Sequence, residues 1–189
     1  MKPGVRAPRG ISMIEVLVTI VIIAFGLLGL AGLLSRLQVS EMESYQRAQA
    51  LLLLEDMGGR MAANGNGADG YLVAADSPLG AGMSGGCPTD ASTLANADLR
   101  EWCEALLGAA ELRSTSKVGA LVGGRGCVER LGSGEYLITV AWQGMVPLTA
   151  PPAGVACGKN QYDGATGSAC RDDLCRRSVT TVVRIPALG

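Results

Sequence analysis

Ile11 to Leu34 is a run of 24 residues in which Ser12, Glu15 and Thr19 are the polar types. As a helix it reaches about 36 Å at about 1.5 Å per residue, against a hydrocarbon core of about 30 Å, so it is long enough to span a bilayer. Lys2, Arg6 and Arg9 precede it, which predicts an amino terminus held in the cytoplasm and a carboxy-terminal part outside. The plainest alternative is a secretory signal peptide cut near Gly29-Leu30-Ala31. The apolar stretch of such a peptide is usually about 7–15 residues, and this run is nearly twice that. The chain has 189 residues. That leaves room beside the run for one modest folded domain.

Glu15 fits neither a signal peptide nor a plain anchor, because an unpaired charge in lipid costs at least about 3 kcal/mol. A carboxylate there needs a partner, and the cheapest is an amino terminus. A cut between Gly10 and Ile11 would create one four residues upstream. The arrangement resembles the prepilin family, the class III signal of type IV pilins and type II secretion pseudopilins: a short basic leader ending in Gly10, Ile11 at the new terminus, Ser12-Met13-Ile14, then Glu15 in the fifth mature position and an apolar helix. The resemblance implies cleavage after Gly10 by a membrane-embedded prepilin peptidase and methylation of the Ile11 amine. It also implies that Glu15 of one subunit offsets the terminal charge of its neighbour during assembly. Two positions depart from the common pattern: Ile11 stands where Phe is usual, and Gly32 where major pilins often carry Pro. Gly26, Gly29 and Gly32 each weaken a helix by up to about 1 kcal/mol.

Within the family, Glu15-Val16-Leu17-Val18 and Gly26-Leu27-Leu28-Gly29-Leu30-Ala31-Gly32-Leu33 are most similar to PilV-type minor pilins. The similarity extends through Ala50-Leu51-Leu52-Leu53-Leu54-Glu55-Asp56-Met57 and Arg60-Met61-Ala62-Ala63-Asn64. It ends on the pairing of Tyr136 to Trp142 with a terminal strand after Arg176-Arg177. It is close over the first third of the chain and patchy beyond. The organisation expected is a cleaved leader at 1–10, a transmembrane and assembly half-helix at 11–34, an amphipathic half-helix at 35–63 and an exported head at 64–189.

Read from the residues alone, Ser35 to about Ala63 continues the helix, with Leu34, Leu37, Tyr45, Ala48, Leu51 and Leu52 on one arc facing the protein's own sheet. Glu41 and Glu55 fall on the same arc and spoil it. Gly58-Gly59 weakens the helix, and Asn64 to Gly70 ends it as a turn. That segment lacks the oxygen ligand at Ala68 and the distal Glu of a calcium loop. Residues 71–96 read as a long connection and Ala97 to about Leu112 as a short helix begun by Asn96 or Asp98, with Trp102, Leu106 and Leu107 on its buried side. Glu135 to Gln143 is the strongest strand, with Tyr136, Ile138, Val140 and Trp142 on one face, and Gly132-Ser133-Gly134 turns it back on Cys127 to Leu131. Ser178 to Ile185 is the last strand. The fold class expected is α+β and pilin-like: one long amino-terminal helix, transmembrane in its first half, packed on a small antiparallel sheet. With 27 Gly and 8 Pro the head should be loop-rich.

Cys87, Cys103, Cys127, Cys157, Cys170 and Cys175 all lie outside the apolar run. Export makes disulfides the expectation, and no C-x-x-C pair suggests zinc. Cys87 with Cys103 would staple the long connection to the short helix, and a pair among Cys157, Cys170 and Cys175 would close a carboxy-terminal loop, leaving Cys127 unassigned. That loop, 144–175, holds Asp163, Asp172, Asp173 and Lys159-Asn160-Gln161-Tyr162, and its carboxylates read as solvated rather than as a metal site.

The chain has no His, which excludes Ser-His-Asp and Cys-His catalysis and every His-ligated zinc or haem site. Sixteen Lys and Arg against 17 Asp and Glu leave a formal charge of −1 and no basic surface for nucleic acid. Paired acids and phosphate-cradling loops are also missing, so the expectation is a non-enzyme without cofactor or metal. The resemblance implies a minor pilin in the initiation or tip complex of a type IV pilus at the inner membrane. Its partners would be the prepilin peptidase, other minor pilins, the major pilin and a tip adhesin. A minor pseudopilin of type II secretion shares the same amino-terminal chemistry, and a membrane-anchored periplasmic binding module is the alternative of a different class.

Overall fold

The computed structural model describes residues 10, 12–109, 112–113, 116–117 and 121–186. The leader positions Lys2, Arg6 and Arg9, and Ile11, lie outside them, as does part of the 97–112 segment. Two compact units divide the chain, Met1–Glu41 and Met42–Gly189. Helix α1 runs without a break over Met13–Ala63. A 3₁₀ helix, Gly65–Tyr71, follows, then strand β1 (Leu79–Gly80), helix α2 (Leu94–Leu106), strands β2 (Leu112–Arg113) and β3 (Ser116–Lys117), and strands β4 (Arg125–Gly132), β5 (Glu135–Gln143) and β6 (Arg176–Arg184). The main sheet has the order β1-β4-β5-β6 with antiparallel neighbours, while β2 and β3 pair separately. One long helix, a small antiparallel sheet and three disulfides make the architecture that of a pilin-like α+β protein.

In the first unit every described side chain from Ser12 to Gln38 is exposed, and Met13, Ile14, Leu17 and Phe25 are among the most exposed large apolar residues. A window of α1 with mean hydropathy 2.8 has no residue buried within the chain. A surface this apolar is the kind that lipid or protein covers.

In the second unit the helix presents Gln46, Ala50, Leu54, Met57 and Met61 to the core. This corrects the expected stripe, since Tyr45, Ala48, Leu51 and Leu52 point outward. The two glutamates on that arc mark the solvent side, and the face that packs is built from small and flexible side chains that let the sheet come close. At Gly58 an added Cβ would stand 3.5 Å from Val183 Cγ2 and 3.9 Å from Ile138 Cδ1, which places the helix backbone directly over β5 and β6. Gln46 is fully buried and neither its Nε2 nor its Oε1 has a hydrogen-bond partner among the described residues. Burying such groups costs free energy that an apolar side chain of similar volume avoids. Gln46→Met should therefore raise stability by about 1–2 kcal/mol, read as a higher urea midpoint at constant slope. A lower midpoint would show that the amide is satisfied.

Helix α2 starts earlier than the sequence suggests, because Thr93, not Asn96 or Asp98, supplies the cap: its hydroxyl accepts the Asn96 N–H at 3.1 Å. The helix also stops at Leu106, with Leu107 as its half-buried cap. Trp102 is fully buried and donates its indole N–H to the Leu53 carbonyl of α1 at 2.9 Å. Its ring lies against Gly126 of β4, where an added Cβ would sit 2.2 Å from Cη2. Arg60, near the end of α1, reaches Asp98 and Glu101 of α2 at 2.8 Å each and Asp56 at 3.0 Å. The 71–96 connection is less plain than expected, since it contributes β1 and a bridge between Val73 and Val128. Asn64 to Gly70, read as a turn, belongs largely to the 3₁₀ helix, where Asp69 pairs with Arg130 and accepts the Tyr136 hydroxyl. Arg130 first and Tyr136 second hold the Asp69 carboxyl below the usual carboxylate range.

Tyr136, Ile138, Val140 and Trp142 are buried on one face of β5, and Thr139 and Ala141 are buried on the other. The second face is covered by the 144–175 loop. Disulfides join Cys87 to Cys103, Cys127 to Cys157 and Cys170 to Cys175. The middle one pins the loop to β4, beside Thr139. The loop acids are not all solvated: Asp173 is buried, pairs with the buried Arg176 at 3.1 Å and accepts the Asn160 N–H at 2.7 Å, while its own N–H donates to Asp163 Oδ1 at 2.9 Å. Only Asp172 and Asp163 remain exposed among these three acids.

Candidate site of amino-terminal processing and assembly

The first turn of α1 explains what each polar residue of the apolar run does. Ser12 precedes the helix and its Oγ accepts the Ile14 N–H at 3.3 Å, while its carbonyl accepts Glu15 N–H at 3.0 Å and Val16 N–H at 3.3 Å. This is N-capping, which satisfies helix donors that have no intrahelical acceptor. Thr19 donates its hydroxyl to the Val16 carbonyl at 2.8 Å, so its polarity is also met inside the helix. Glu15 is left. Its side chain is exposed and has no ion-pair partner among the described residues.

Two local features suit a carboxylate at this position. It stands in the first turn, where the unpaired N–H groups give the helix end a partial positive charge. Ser12 and Glu15 also have the S-x-x-E spacing of a capping box, a signal carried by the sequence itself. Neither removes the need for a full counter-charge in lipid. Gly10 is exposed, and a Cβ added there would meet nothing within 4 Å. Gly26, Gly29 and Gly32 likewise have open space around them. They thin one side of the helix without bending it out of helical hydrogen bonding.

A family model described as the prokaryotic N-terminal methylation motif matches residues 5–31. The amino terminus is prepilin-like. The matched span takes in Gly10, Ile11, the Ser12 cap, Glu15 and Thr19, and most of the apolar run. With the exposed apolar helix it fits a membrane-anchored protein of the type IV pilin and pseudopilin class. No curated protein and no solved structure matches the chain. Elsewhere, among the described residues, no three Cys, Asp or Glu side chains converge as metal ligands.

Proposed function

We propose that the chain is a minor pilin of a type IV pilus, of the PilV type. It inserts in the inner membrane with its amino terminus inside, is cut after Gly10 by a prepilin peptidase and is methylated on Ile11. It then joins other minor pilins and the major pilin in an initiation or tip complex. The observation that carries this reading is the methylation motif at residues 5–31 with Glu15 as the polar side chain that the helix itself does not satisfy. Removal of Lys2, Arg6 and Arg9 takes the formal charge from −1 to −4 and removes the charges that hold the leader in the cytoplasm. The mature amine is then the cation nearest in chemistry to what Glu15 lacks. A charge-assisted N–H to carboxylate bond is strongest where water is absent. An amine on a neighbouring subunit would therefore draw Glu15 into the filament and out of an unfavourable position in lipid. Tyr45, Leu51 and Leu52, exposed on α1, extend the surface available for helix packing.

The same amino-terminal chemistry serves pseudopilins. The Glu15 to Val18 and Gly26 to Leu33 stretches favour the pilus. Glu15→Ala should leave insertion and cleavage near wild type, because the substitution makes the isolated helix more compatible with lipid. Pilus number and co-purification of the other minor pilins should fall sharply. Normal piliation with normal co-purification would show that Glu15 is not an assembly contact and would favour an anchored binding module. Loss of protein secretion with intact pili would place the protein in a type II system.

A further inference from the structure

Arg125, the first residue of β4, is 8% exposed, yet no carboxylate pairs with it among the described residues. Arg60, Arg130, Arg176, Arg177 and Arg184 each have a carboxylate partner, while Arg100 and Arg171, more exposed than Arg125, have none among the described residues. Nη1 of Arg125 donates to the Gly123 carbonyl at 3.2 Å, an oxygen that also accepts the Tyr162 hydroxyl at 2.9 Å. The guanidinium carbon stands 4.7 Å from the centre of the Tyr162 ring. Gly82, at φ +85°, brings bare backbone close to the guanidinium, where an added Cβ would lie 2.9 Å from Nη2. The side chain is thus fixed by stacking and by one shared carbonyl. Most of its five N–H donors have no acceptor assigned among the described residues.

These donors line an open groove of about 380 Å³ between the 76–84 segment and Gln161. A second groove of similar size adjoins it through Asp76, Pro78 and Gln161 and carries Lys159 and Asn160. The two cations therefore lie along one surface, with Asp76 between them. The Arg125 guanidinium opens on this groove, and its planar fork matches a carboxylate bidentately. Asp76 disfavours a dianion such as phosphate more than a singly charged carboxylate. The open, elongated form, edged by Ser77, Ser84, Gln161 and Asn160, suits an extended chain with backbone amides to satisfy. We infer that this groove receives an acidic peptide segment of another protein, with one carboxylate on Arg125 and a second on Lys159.

The test is calorimetric titration of the oxidised full-length protein in neutral detergent with the capped peptide acetyl-Gly-Glu-Gly-Gly-Glu-Gly-amide and its Gln counterpart. The Glu peptide should bind, and the Gln peptide should bind at least about tenfold more weakly. Arg125→Met should weaken the Glu peptide by at least about tenfold, and Arg125→Lys should recover only part of the loss, since it restores charge without the fork. Lys159→Gln, at an exposed position, should weaken it about two- to fivefold and reduce its salt dependence. Equal binding of the two peptides, no binding of either, or indifference to Lys159→Gln and Arg125→Met would overturn the inference. Displacement of the peptide by inorganic phosphate at equal concentration would show a general anion site and would overturn the peptide assignment.

Discussion

Gly126→Ala should destabilise the head by about 3 kcal/mol or more and lower its melting temperature by roughly 6–12 °C. Position 126 lies in β4 opposite Val140 of β5 and Leu79 of β1, so its backbone is held on both sides by the sheet. An added methyl would stand 2.2 and 2.5 Å from two carbons of Trp102 and 2.8 Å from Leu106 Cδ1. Trp102 is fully buried and tied to the Leu53 carbonyl, so the ring has no open direction in which to retreat. The docking of α2 on the sheet should loosen, and Arg60 should lose Asp98 and Glu101 with it. The internal comparison is Gly59→Ala in α1, where nothing lies within 4 Å of the added methyl and helix propensity alone predicts a gain of about 0.5–1 kcal/mol. Thermal melts of the two variants should move in opposite directions. Equal melts would mean that Trp102 does not pack on Gly126.

The second large effect is expected at the Cys127–Cys157 disulfide. Its sulfur atoms are fully buried and it closes a separation of 30 residues, against 5 for Cys170–Cys175. By chain entropy the first bridge contributes about 3–4 kcal/mol and the second about 2 kcal/mol. The longer bridge also holds the 144–175 loop over the back face of β5. Without it Thr139 and Ala141 lose their cover, and the buried pair of Asp173 and Arg176 loses its shelter from water. Replacing Cys127 and Cys157 together by Ala should therefore lower stability by about 3–5 kcal/mol, clearly more than the Cys170 and Cys175 double replacement. Denaturant midpoints of the two variants measure the difference. A larger loss from the short bridge would show that the loop is held mainly by its own ion pairs.

How far each part was legible follows from how local its cause is. Strand β5 and its hairpin could be read because Tyr136, Ile138, Val140 and Trp142 alternate with side chains of other kinds and Ser133-Gly134 supplies the turn. The packed face of α1 could not be read from its leucines, because Leu51 and Leu52 face outward while Leu54 faces inward beside Ala50, Met57, Gly58 and Met61. Strand β1 is two residues long, below what any periodicity reveals. The buried state of Asp173 depends on Arg176, Asn160 and Asp163 converging in a loop whose path the disulfide sets. At the amino terminus Glu15 stood out because a carboxylate conflicts with its apolar surroundings, which is a property of composition. Ser12 carries a fainter signal, its S-x-x-E spacing to Glu15, and the geometry of the first turn is what shows that it caps the helix. Arg125 gave no signal in the sequence at all, since what sets it apart is its stacking on Tyr162 and its place on the groove, both of which exist only in the folded chain.

The central claim is that the chain is a prepilin matured at Gly10, and the most direct measurement is the mass and amino-terminal sequence of the protein extracted from membranes. The expected species begins at Ile11, carries one methyl group on its amine and lacks Lys2, Arg6 and Arg9. A chain that still begins at Met1, or one cut near Gly32, would contradict it.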